Sequence, residues 1–151
     1  MKTRQSVLVV LMSLLSLILL GGCAQPNKQL YYGTWTNEHG HFQKTVRTSD
    51  GVVKDYYLLS DTTPVQEVKE QIISCWSDSE GNVWFKTEAT ITAGPNKNTM
   101  PKVQTLQKIS KSGTFLEMMW SGVMDFNPKS FPTKIDTTDP YRYWTFNRAA
   151  K

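Results

Sequence analysis

The side chains able to do chemistry are few in this sequence, and they are loosely grouped. His39-Gly40-His41 is the histidine pair. In an extended strand both imidazoles would lie on one face, as two metal ligands do. No third ligand stands at a convincing spacing, and Gly40 favours a turn, so the pair reads as polar loop residues and no metal is expected. Glu67, Glu70, Asp78 and Glu80 bring carboxylates near one loop. Paired carboxylates perform acid–base steps, but no nucleophile or oxyanion motif stands beside these, and they read as a solvated face. There is no Gly-x-Ser-x-Gly, no phosphate-cradling glycine loop and no Cys-x-x-Cys. Neither an enzyme nor a cofactor is expected.

One cysteine has a clear chemical setting. Lys2 and Arg4 precede an apolar run over 7–20, shorter than the ~20 residues a membrane-spanning helix needs. The run ends in Leu20-Gly21-Gly22-Cys23. This resembles the bacterial lipobox, in which small residues precede a cysteine that receives a diacylglyceryl group. The resemblance implies a signal peptide over 1–22, cleavage before Cys23, and acylation of the new amine by a fatty acid such as palmitate. The other reading is an uncleaved single-pass anchor. Ala24 stands where an aspartate would retain a Gram-negative lipoprotein at the inner membrane. The resemblance therefore implies a bacterial envelope protein held by its lipid at the periplasmic face of the outer membrane. With Cys23 lipidated, Cys75 is left alone, no internal disulfide is possible, and a buried thiol is expected.

Those assignments need a body to carry. Residues 23–30 give the lipidated cysteine and a short polar tether, and 31–151 are enough for one domain with its own core. Losing Lys2 and Arg4 lowers the net charge of +4 by two units, and no basic run remains to suggest a nucleic-acid partner. All 5 Trp, 6 Tyr and 6 Phe follow Cys23, a load that favours strands and either a pocket or a contact surface.

From Tyr31 onward the pattern is strand and turn. Val83, Phe85, Thr87, Ala89 and Ile91 alternate with Trp84, Lys86, Glu88 and Thr90, the cleanest period of two in the chain, with the first set inward. Asp50-Gly51 turns one hairpin and Lys111-Ser112-Gly113 another. Strands are expected over 102–110 and 141–148. Leu116, Met118 and Trp120 form one face of a further strand. At 61–76, Thr63, Pro64 and Gln66 form a helix-start signature, so a turn or helical start near Thr63 is expected, then a strand over 69–76. Residues 125–140 hold Pro128, Pro132 and Pro140 and read as a long loop over an open end. The expected fold is all-β: an eight-stranded antiparallel up-and-down barrel.

Tyr31-Tyr32-Gly33-Thr34-Trp35 opens this domain. A Gly-x-Trp at the first strand resembles the lipocalins and their calycin relatives, barrels that hold small molecules. The resemblance implies that Trp35 plugs one end after a sharp turn at Gly33. It also implies that a basic residue of the last strand, Arg148 or alternatively Arg142, packs over the indole.

Met118, Met119, Trp120 and Met124, flanked by Phe115 and Phe126, form an adaptable apolar set, with ordinary core packing as the plainer account. Two functions follow. In the first, an envelope-anchored barrel binds a small apolar or amphipathic ligand between inward Phe85, Ile91, Met118 and Trp120. In the second, a filled barrel contacts a partner protein through exposed Trp84, Tyr31 and Tyr32. Cavity volume separates them, since ligand sites run to roughly 300–1,000 Å³.

Overall fold

The computed structural model describes residues 27–37, 40–100, 102–121 and 131–150. Eight strands close into an antiparallel barrel in chain order: β1 (Gly33–Thr36), β2 (Lys44–Arg47), β3 (Val52–Tyr56), β4 (Gln66–Ser77), β5 (Val83–Ala93), β6 (Lys102–Ile109), β7 (Phe115–Trp120) and β8 (Tyr143–Arg148). Closure comes from β8 returning to β1 through Trp35↔Arg148 and Thr36↔Asn147. Among the described residues there is no α-helix. A 3₁₀ turn, Lys28–Tyr31, leads into β1, so part of the expected tether is folded against the barrel. Cys23 and the signal segment lie outside the described residues.

Side-chain alternation builds the wall. Along β5, Val83, Phe85, Thr87, Ala89 and Ile91 are buried and their neighbours are half-exposed. Strand β6 turns Val103, Thr105, Gln107 and Ile109 inward, opposite Leu116 and Met118 of β7. Two outward residues, Leu106 and its cross-strand partner Met119, are buried as well. The described part of the connection before β8 lies along this outer wall. Phe131 and Pro132 share a cleft with Met119, and the Lys86 ammonium stands 5.7 Å from the Phe131 ring centre. The loop expected over the open end at 125–140 is thus an outer brace over its described portion, and 122–130 fall outside the described residues.

Two sequence expectations are corrected. Strand β4 begins at Gln66 with no helical start at Thr63. Pairing with β3 supplies the backbone partners a cap would have supplied, and the Val65 N–H donates to the Asp55 carbonyl at 2.9 Å. Strand β8 starts at Tyr143 rather than 141, because the Asp139 carboxylate accepts from the Tyr141 and Arg142 N–H groups, each at 3.0 Å, and holds them in a turn.

The barrel has two unlike ends. The 3₁₀ turn and the β2–β3, β4–β5 and β6–β7 turns make the closed end. Gly51 shows how tight these are: its φ is +82°, and a Cβ there would lie 2.6 Å from the Glu70 carbonyl oxygen. Apolar side chains form one cluster at the closed end and a second, smaller one toward the open end.

Candidate functional site

The closed end is a packed plug. Trp35 is fully buried among Tyr31, Phe85, Ile109, Leu116 and Phe146, and its indole N–H donates to the Tyr31 carbonyl at 3.2 Å. The Arg148 guanidinium carbon lies 4.4 Å from the Trp35 ring centre. That guanidinium also donates to the carbonyls of Gly113 at 2.8 Å, Tyr32 at 3.0 Å, and Leu30. Gly33 makes this approach possible. Its φ of +124° is a left-handed conformation, and a Cβ there would stand 2.9 Å from Arg148 Nη1. Arg142 is engaged elsewhere, with Asp139 at 2.6 Å.

Above the plug runs a belt of buried polar side chains. Gln107 Oε1 accepts from Arg47 Nη1 at 2.9 Å. Gln107 Nε2 faces the Tyr31 hydroxyl and Thr105 Oγ1 at 2.8 Å each and Glu70 Oε1 at 3.1 Å. Thr87 donates to Glu70 Oε1 at 2.7 Å and meets Thr105 at 2.8 Å. Arg47 stacks over the Tyr31 ring at 4.6 Å. Burial holds the Tyr31 phenol well above its ordinary pKa. Arg47 Nε and Glu70 Oε2 stand 4.0 Å apart, and neither has a hydrogen-bond partner. Nearby, Asp55 accepts from Thr45 at 2.8 Å and from Gln66 at 3.2 Å. Burial still raises its pKa above the usual carboxylate value.

The belt is the base of a cavity of about 50 Å³ toward the open end. Phe42, Val68, Ile91, Met118, Trp120 and Trp144 form apolar walls, and Arg47, Asp55 and Glu70 give the polar base. Trp120 and Trp144 tilt together with ring centres 5.2 Å apart. Tyr57 stacks on Phe42 at 5.8 Å, beside exposed Leu58 and Leu59. On the other side Arg47 and Glu70 reach an outer polar cleft of about 460 Å³ at the closed end, lined also by Lys28, Asp50 and Lys69.

Of the four residues expected on a cavity wall, Ile91, Met118 and Trp120 lie on it. Phe85 does not. Six residues earlier on β5, it sits about 20 Å farther down the strand and packs on Tyr31 with ring centres 4.7 Å apart. The aromatics expected outside also divide: Tyr31 is buried, Tyr32 half-buried, and Trp84 stacks on Trp76. The four carboxylates do not form one face. Glu70 is inside the barrel, Glu67 pairs with Lys54 at 3.7 Å, and Asp78 is held at a pKa of about 2 by hydrogen bonds, chiefly from the Trp84 indole. Cys75 is half-buried against the closed-end core. His41 lies edge-on to Phe42 and Tyr57, and His39 falls outside the described residues. Among the described residues no three His, Cys, Asp or Glu side chains group to hold a metal.

Sequence reading missed the belt. Arg47, Glu70 and Gln107 come from strands far apart in the chain, and only the shared inward parity of their positions could have flagged them. No family model, no curated protein and no solved structure matches the chain.

Proposed function

We propose that the protein is an envelope-anchored lipoprotein whose barrel binds a small apolar or amphipathic ligand at its open end, without catalysing a reaction. The observation that carries this reading is the apolar cavity closed below by buried Arg47 and Glu70. A buried ion pair at such a position contributes less to stability than well-packed apolar side chains often do, which supports a recognition role. The cavity volume is well below the roughly 300–1,000 Å³ of ordinary ligand sites and limits the ligand. About 50 Å³ holds roughly four water-sized groups, so the seated portion is short. Anything longer emerges between Trp120, Trp144 and Phe42, where Met118 can adjust. The Gly33, Trp35 and Arg148 arrangement supports kinship with lipocalin-like barrels as part of the same proposal.

The second reading, a barrel that contacts a partner protein, is favoured by that same small volume and by the exposed run Tyr57, Leu58 and Leu59 at the rim. Native mass spectrometry of the protein purified from its own host separates the two. A small molecule released with the wild type and absent from Ala89→Leu, which fills the cavity, supports ligand binding. A stoichiometric protein retained by both variants supports the partner. For the anchor, Cys23→Ser is expected to release the protein from the membrane fraction, and continued tight association would refute lipid anchoring.

A further inference from the structure

We infer that the outer face of the β4–β5 hairpin, at the closed end, beds in the headgroup layer of the membrane that anchors the chain. The inference rests on lipidation of Cys23. Trp76 and Trp84 are cross-strand partners on the outside of this hairpin, stacked with ring planes 7° apart and centres 6.0 Å apart. Trp76 is 38% exposed, and Ile73, three residues earlier on β4, is 48% exposed. A register shift between Ile72 and Ser74 turns Ile73 outward while Ile72 stays against the core. Three large apolar side chains thus lie on the outer face of one hairpin, two of them stacked and of the type enriched where membranes meet water.

The position of the patch selects the bilayer as its occupant. The Lys111 N–H donates to Asn82 Oδ1 at 3.2 Å, tying the β4–β5 turn to the β6–β7 turn. Leu30 in turn lies so close to Gly113 that a Cβ there would stand 2.9 Å from it. The hairpin tip and the N-terminal 3₁₀ turn therefore form one end of the molecule. Four residues separate Cys23 from Lys28, so the five Cα–Cα steps reach at most about 18 Å. The tryptophan pair stands within about 10 Å of the hairpin tip, and a headgroup layer is about 5–8 Å thick. A barrel held on so short a leash, tilted onto this hairpin, brings the pair to the interface. Asp78 and Glu80 put carboxylates at the hairpin tip, and one neighbouring cation fits the placement. The Lys108 ammonium stands 5.6 Å from the Trp84 ring centre, able to reach lipid phosphate as well as its partner Glu117. The Trp84 N–H is already satisfied by Asp78, at 2.8 Å.

The test uses the mature lipoprotein in vesicles of phosphatidylethanolamine and phosphatidylglycerol carrying brominated acyl chains. Trp76 and Trp84 are two of the five tryptophans, so bromine is expected to quench up to about two-fifths of the total tryptophan emission through this pair. The Trp76→Phe/Trp84→Phe variant is expected to lose most of that quenching, and Trp120→Phe/Trp144→Phe to keep it. Palmitate labelling of Cys23 is scored in parallel. Labelled protein whose emission is unquenched, or whose quenching survives in the Trp76/Trp84 variant, overturns the contact and leaves the anchor standing. Absence of label overturns the anchor, and the contact with it.

Discussion

The closed and open ends of the barrel are built from the same strands by the same alternation, yet they solve opposite problems. Within the closed-end plug the large side chains pack on one another and the Trp35 and Arg148 donors have named acceptors. Trp35 is fully buried, its N–H is bonded, and Arg148 lies across it with three carbonyls around the guanidinium. A few residues higher on those strands the interior carries charge, leaves a void and keeps polar atoms without partners. The lesson is that one end secures the cylinder, so the other is free to hold side chains poorly suited to a core.

The largest expected effect breaks the closed end. Trp35→Ala is expected to lower unfolding free energy by about 3–5 kcal/mol, measured by urea denaturation. A loss near zero would show that the plug is not what secures the barrel. Next comes the belt. Arg47→Met strands Glu70 inside the barrel and is expected to be destabilising by about 3 kcal/mol, whereas Arg47→Met with Glu70→Leu should return to within about 1 kcal/mol of wild type. Equal losses in the single and double variants would mean that the belt is a structural necessity like the plug, and the contrast between the ends would disappear. The smallest effect concerns pH. Burial raises the Asp55 pKa, so its contribution to stability is fully present below the ordinary value of 3.8 and is lost as pH rises through the folded value. Asp55→Asn should remove that decline across the mildly acidic range, leaving its urea midpoint flatter with pH than wild type. An unchanged slope would place the titrating group elsewhere.

The unequal legibility of the two ends follows from their chemistry. Where the interior is apolar, period-two patterning shows it: Val83 to Ile91 reveals an inward face, and Gly33 with Trp35 marks the plug through residue types that few other roles require. Where the interior is polar, the pattern erases itself. Gln66, Val68, Glu70 and Ile72 alternate inward along β4, but two of the four are polar. Thr63, Pro64 and Gln66 instead imitate the start of a helix. Arg47 and Gln107 meet across 60 residues of chain, a pairing that exists only after closure. Tyr31 was equally hidden, because nothing local distinguishes a ring folded beneath the barrel from one facing outward.

The seam between β1 and β8 has a topological meaning. Two ladder pairs bridge it, Trp35↔Arg148 and Thr36↔Asn147, with the Ala149 N–H donating to the Thr34 carbonyl at 3.0 Å. The first strand finds one mate, β2, close by in the sequence and the other, β8, only at the far end of the domain. Without that second mate its tryptophan has no roof, so the sheet remains an open ribbon with two unpaired borders. Completion of the cylinder is therefore the contact of longest sequence separation among the strand pairs, and deleting β8 (Tyr143–Arg148) should leave the sheet as that ribbon.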